Sequence, residues 1–278
     1  MQSTVFFISF GETSVRLICD NETICYALAL HLRHCQHKGG LPVATYTITT
    51  LPAGYELAQD NGARWQFPTE DDLLLFLMTS LLTSLNGECR SGLLFHAACV
   101  AEGERGILIS NASGAGKSTL AAWLVAEGFQ YLTDEVVIAS VEDHSLRGLA
   151  RSVGLKRGSR FVVDQWVQAD SDPGLRTFRD GSTWVDPELL HPNSVRTQAQ
   201  PQLLIAPQYT PNTAFTALPM SAGQATFHLM QHLVNARNFP DHGLGATAQL
   251  ARRVVGYSLN YSNCADAATW IKETLARL

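Results

Sequence analysis

The residues best suited to chemistry lie between Asn111 and Thr119, in the run Asn-Ala-Ser-Gly-Ala-Gly-Lys-Ser-Thr. Ser113, Gly114, Ala115 and Gly116 are all small, and a loop free of bulky side chains lets backbone N–H groups converge on phosphate oxygens. Lys117 follows where its ammonium can reach the β- and γ-phosphates of a nucleotide, and Ser118 where its hydroxyl can bind Mg2+. A helix starting at Lys117 would add the partial positive charge of its N-terminus. Asn111 departs from the usual pattern, in which a glycine leads the loop. Asparagine tolerates positive φ better than most residues, so it is expected to make the same left-handed turn. Asn111, Ala112 and Ser113 through Thr119 thus read as one phosphate-binding loop.

One helix further along the chain stand Asp134 and Glu135. Acids placed there complete the shell of a nucleotide-bound Mg2+ or take a proton from a nucleophile. The plainer alternative is a solvated acidic pair. Arg151, Lys156 and Arg157 form the densest basic cluster near them. A positioned cation would stabilise charge spreading over the oxygens of a transferring phosphoryl group, with the other basic residues left as solvated surface. Arg237 is a weaker candidate for the same work.

These residues need a scaffold. "ILIS" reads as a strand leading into the loop, and a helix from Lys117 to about Glu127 is closed by Gly128. "FQYLTDEVVIASVED" is a strand interrupted by the two acids, and "LLFHAACVA" is a single buried strand before the loop. Strand, glycine-rich turn, helix and acid-bearing strand together describe an α/β nucleotide-binding core. Later come strands at "PQLLIAPQYT" and "GYSLNYS", a helix from about Ser221 to Arg237 and another from Cys264 to Leu278. The first part of the chain, 1–69, is a smaller mixed α+β region. It has strands near Thr4–Phe10, Ser14–Cys19 and "VATYTITTL", and a hairpin turning at Asp60-Asn61-Gly62. Residues 70–278 form the nucleotide-binding domain, opening with a helix that runs to about Asn86. The polar segment Asp164–Asn193 is either a substrate-facing flap or a surface loop anchored by Trp166 and Trp184.

The 278 residues carry a formal net charge of −5, with 46% hydrophobic and 16% charged residues. That is the composition of a soluble globular chain without general attraction for nucleic acid or anionic lipid. The start has a short apolar run, Val5–Phe10, without a basic segment before it, unlike a signal peptide. Leu73–Leu85 is apolar but too short to span a bilayer. A cytoplasmic location is expected, with the cysteines, which include no CxxC pair, as free thiols. His31, His34 and His37 recur without ligand partners at zinc spacing and read as a solvated helix end.

"SGAGKSTLAAWLVAEGFQYLTDEVVIA", preceded by "LFHAACVA", resembles the catalytic core of the HPr serine kinase/phosphorylase family, closest to the shorter related kinases of bacterial gene clusters. The likeness is specific from Leu94 to Ala139, diffuse but collinear to the end, and weak before residue 70. It implies a P-loop core of the HPr kinase/PEP carboxykinase-like type, with ATP and Mg2+ as ligands and a homo-oligomeric assembly. It also implies roles. Asp134 would accept the proton of the substrate hydroxyl, Glu135 and Ser118 would hold Mg2+, and Lys117 would neutralise the β/γ-phosphates. His96 would sit beside the reacting phosphate, and Lys156 would match the basic residue of a "S-L-K" segment. Glu135 stands where the family has a second aspartate. The "R-G-x-G" segment and the C-terminal signature of the true HPr kinases are missing, so HPr is not implied as acceptor. The expected activity is γ-phosphoryl transfer from ATP to a hydroxyl of a peptide or protein, such as a modified-peptide precursor. The alternatives are a small-molecule hydroxyl acceptor and a P-loop NTPase or nucleotide-dependent switch.

Overall fold

The computed structural model describes residues 3–36, 41–87, 89–167 and 172–278. The N-terminal part builds β1 (Thr4–Phe10), β2 (Thr13–Cys19), α1 (Glu22–His31), β3 (Ala44–Leu51), β4 (Gly54–Gln59), β5 (Arg64–Phe67) and α2 (Glu70–Gly87). The five strands lie side by side in chain order. Only β2 and β3 run parallel, because α1 carries the chain across between them. Asn21 caps α1 by accepting the Ile24 N–H. Gly62 supplies the left-handed residue of the β4–β5 hairpin at φ 94°. α2 buries Leu73, Leu77, Leu81 and Leu85 in the same core as β1–β4, so the helix that opens the 70–278 stretch packs on the N-terminal sheet.

The remaining chain forms a mixed nine-stranded sheet with helices against it. First come β6 (Gly92–His96), β7 (Ala98–Glu102), β8 (Arg105–Ile109), α3 (Lys117–Ala126), β9 (Gln130–Thr133), β10 (Val136–Ser140) and β11 (Leu146–Gly148). Then β12 (Val153–Leu155), α4 (Arg160–Trp166), β13 (Leu175–Thr177), β14 (Thr183–Val185) and the short α5 (Pro187–Leu190) lie over it. β15 (Gln198–Tyr209), β16 (Thr216–Met220), α6 (Ala222–Met230), α7 (Leu244–Ala251), β17 (Val255–Tyr261) and α8 (Cys264–Ala276) complete it. β8, β15 and β17 run parallel as neighbours at the centre, with α3 packed against α8 over one face.

Four local expectations change. "LLFHAACVA" is two strands, broken at Ala97: β6 pairs with β10, whereas β7 pairs with β8 and β9. The helix expected to reach Arg237 stops at Met230. The buried Asn235 accepts from the Leu94 N–H and donates to the Cys89 and Gly92 carbonyls, tying the chain to the start of β6. His31 is not solvated but 3% exposed, with Nδ1 2.9 Å from Ser152 Oγ and its ring edge-on to Trp184. The end of α1 packs on the small β12–β14–β13 sheet, which is why. His34 lies 3.5 Å from Asp186, and His37 is outside the described residues. Finally, 164–193 is not a loop throughout. It contributes β13, β14 and α5, with Trp184 buried against Phe178, while 168–171 lie outside the described residues. No helix among the described residues is long and apolar enough to cross a membrane.

Candidate active site

The phosphate-loop sequence leaves the C-terminal end of β8, the end at which parallel strands place ligands. The loop is tied to β15. The Ser110 N–H donates to Ile205 O at 2.9 Å, and the Tyr209 N–H donates to Ala115 O at 3.1 Å. Asn111 does not have positive φ; those angles fall on Gly114 (88°) and Gly116 (98°). Asn111 acts through its side chain instead. Nδ2 donates to Pro207 O at 2.8 Å, while Oδ1 accepts the Ala112 N–H at 2.8 Å. A Cβ on Gly116 would lie 2.6 Å from the Tyr261 hydroxyl, so glycine is required there for space as well as for φ. α3 starts at Lys117, as phosphate binding needs. Lys117 Nζ donates to Asn111 O at 2.7 Å and Ala112 O at 3.3 Å, which folds the ammonium back over the loop. Burial lowers its pKa, with Glu135 pulling the other way.

Asp134 and Glu135 fill the gap between β9 and β10, opposite the Ala97 break. The Ala97 N–H donates to Glu135 O, closing the gap across the two strands. Asp134 is 1% exposed and both its oxygens are engaged. Oδ1 accepts from the Tyr131 hydroxyl at 2.8 Å, and Oδ2 from the Gly154 N–H at 3.0 Å. Burial and the facing Asp134 charge push the Tyr131 phenol well up, so it stays a donor. Arg151, itself buried, places Nη2 3.0 Å from Glu135 Oε2 and 3.8 Å from Asp134 Oδ1. Burial opposes its charge, but the two carboxylates overcome that and raise its pKa. Glu135 is the more open acid, with its side chain 30% exposed and Oε1 3.5 Å from His96 Nδ1.

These groups meet in one cavity of about 300 Å³. Its lining includes His96, Ser113, Gly114, Gly116, Lys117, Ser118, Thr119, Asp134, Glu135 and Lys156. Of the residues singled out in the sequence, Asn111, Ala112 and Ala115 form the loop but are not in that lining. Lys156 is exposed and reaches Ser113 Oγ at 3.2 Å; Thr119 Oγ1 lies 2.6 Å from Ser159 Oγ. Arg157 is not among the residues that line the cavity; its aliphatic stem lies against Gly181. Among the three basic candidates Arg151 is therefore the one held on the acids. In the sequence it is simply the first of a basic cluster, and the signal that distinguishes it is the burial of its surroundings.

Two histidines near the site carried no weight in the sequence. His228 Nε2 is 2.6 Å from Ser110 O. A carbonyl only accepts, so Nε2 carries the hydrogen. His232 packs its ring on His228, with 5.0 Å between ring centroids, and its carbonyl accepts the His96 N–H. Burial, then His228, Lys117 and His96, push the His232 pKa down to about 4. Burial lowers that of His228 as well. Both stay neutral beside the loop at neutral pH.

No family model matches the chain, and no curated protein matches it. Among solved structures it is similar to the HPr(Ser) kinase/phosphatase from Coxiella burnetii, at 14% sequence identity and a TM-score of 0.34. That similarity covers 66% of this chain and 97% of the other. What the site can do is set by its own geometry.

Proposed function

We propose that the chain is an ATP- and Mg2+-dependent kinase that transfers the γ-phosphoryl group to a hydroxyl. The observation that carries this reading is the convergence of the loop, Lys117, the acid pair, His96 and Lys156 on one cavity. The loop amides and the α3 N-terminus would bind the phosphates, with Lys117 on the β/γ side and Lys156 at the mouth. Ser118 and the acid pair offer the hard oxygen donors that Mg2+ takes, and a site of this kind needs only one or two carboxylates besides phosphate and water. The bound ion would neutralise charge on the phosphates during transfer. Asp134, whose oxygens already accept from Tyr131 and Gly154, is suited to anchoring; Glu135 is the carboxylate open to take the acceptor proton. His96, with Nδ1 3.5 Å from Oε1, would orient Glu135 from its other side.

The test is incubation with γ-labelled ATP and Mg2+, with and without cell lysate. Label on an acceptor, reduced about 100-fold or more in Lys117→Ala, supports the kinase. Release of free phosphate alone would identify an NTPase instead, and failure to bind nucleotide would overturn both.

A further inference from the structure

A second cavity, of about 580 Å³, lies behind the acid pair. Glu135 lines both cavities, and Arg151 forms part of the floor of this one. One wall is α2, through Leu75, Met78 and Leu82; Trp184 and Val234 face into it from the other elements. The cleft is thus apolar along one side, has Thr79, Thr83, Asn86 and Asn235 among its other lining residues, and carries charge from Glu135, Arg151 and Arg237. At the inner end stands the Arg151–Glu135 pair. Near the C-terminal end of α2 stands Arg237, which is exposed and has no ion-pair partner among the described residues. Two buried polar atoms of residues in this lining lack hydrogen-bond partners: Asn86 Oδ1 and Arg151 Nε, the latter on a residue only 5% exposed. Native interiors rarely leave such groups unpaired unless something else satisfies them.

We infer that this cleft binds the phosphoryl acceptor, and that the acceptor is a compact hydroxy acid with an apolar body. The inference rests on the kinase reading above. The volume falls in the range of small-molecule sites, and Leu75, Met78, Leu82 and Trp184 give the cleft an apolar side for the body of the acceptor. Arg237 provides for the carboxylate. Glu135, reached from both cavities, meets the hydroxyl. In the reaction the acceptor oxygen bonds to the γ-phosphorus and the bond from that phosphorus to the β,γ-bridging oxygen breaks. ADP leaves with the bond's electron pair, and the hydroxyl proton passes to the Glu135 carboxylate. The N-terminal region, through α2, is then a working part of the acceptor site.

The probe is 3-[4-(hydroxymethyl)phenyl]propanoic acid, whose hydroxyl and carboxylate stand at opposite ends of an apolar body, compared with its carboxamide, by saturation-transfer NMR on the full chain with ADP and Mg2+ and by phosphoryl transfer from ATP. The acid should bind and be phosphorylated, with the amide weaker by about tenfold. Arg237→Gln should bring acid and amide within about twofold of each other. Thr79→Trp, at an exposed position of α2 on the cleft, should weaken probe binding by about tenfold or more while ATP affinity stays within about twofold. Undiminished probe binding by Thr79→Trp, or an acid preference that survives Arg237→Gln, overturns the inference. So does wild-type protein that binds ATP and labels lysate proteins but neither binds nor phosphorylates the probe, and in that case the kinase reading stands. Wild-type protein that binds no ATP removes the kinase reading and this inference with it.

Discussion

Asp134 and Glu135 are neighbours in the chain with opposite surroundings, and that contrast separates their roles. Asp134 is sealed in with Tyr131, Gly154 and Arg151, so its charge holds three elements together. Glu135 shares Arg151 but faces two cavities. Glu135→Gln keeps the shape and removes the proposed proton acceptor. It should cut phosphoryl transfer by about 100-fold and, because Glu135 also pairs with the buried Arg151, lower stability by about 1 kcal/mol, as single-turnover kinetics and calorimetry would show. Asp134→Asn should instead lower stability by about 2–4 kcal/mol in urea unfolding, because it weakens buried hydrogen bonds and the pairing of Arg151. If the two variants behaved alike in both measurements, the division of labour would be wrong.

At the scale of the element, the loop between β8 and α3 shows how a departure from a motif can be built in. Asn111 replaces the leading glycine without adopting glycine's backbone; its amide bonds the loop to the end of β15 through Pro207. Restoring the usual residue, Asn111→Gly, should therefore harm the protein. The expected loss is about 1 kcal/mol of stability. A several-fold weaker ATP affinity by titration calorimetry should accompany it, roughly the factor that a fraction of 1.4 kcal/mol corresponds to. Tighter nucleotide binding in Asn111→Gly would mean that the side-chain bridge contributes nothing to loop shape.

Across the whole molecule, one core joins the N-terminal sheet to the nine-stranded sheet. It runs from Ile8, Leu17 and Leu77 to Leu94, Ile138 and Trp184. His31 sits within this junction, between Ser152 and Trp184. Burial, then the Arg176 and Arg151 charges, push its pKa down to about 4 against the opposing pull of Asp186. Between that value and the ordinary 6.5 the unfolded chain takes up a proton that the folded chain refuses. Stability is therefore complete above pH 6.5 and falls as the pH drops towards 4, with His31 accounting for about 3 kcal/mol of the loss. Urea unfolding at neutral and acid pH should show this slope, shallower in His31→Gln. Equal slopes in the two proteins would place the acid sensitivity elsewhere, for instance at His232.

The sequence by itself determined the pieces whose signal is local. Small residues before Lys117, the Asp60-Asn61-Gly62 turn and the stop at Gly128 each reflect backbone geometry that a few adjacent residues dictate. The strand–loop–helix order and nearly every candidate lining the cavity at that loop were legible for that reason. Tertiary structure decided what depends on distant partners. The strand break at Ala97 exists because β6 and β7 pair with different strands, and the α6 helix stops early because Asn235 binds β6. Arg151 outranks Lys156 beside the acids only because burial forces its charge to be paired, and burial is not a property of a short window. Likewise α2 reads as an ordinary amphipathic helix, and only packing makes it the wall of a cleft that ends on Glu135.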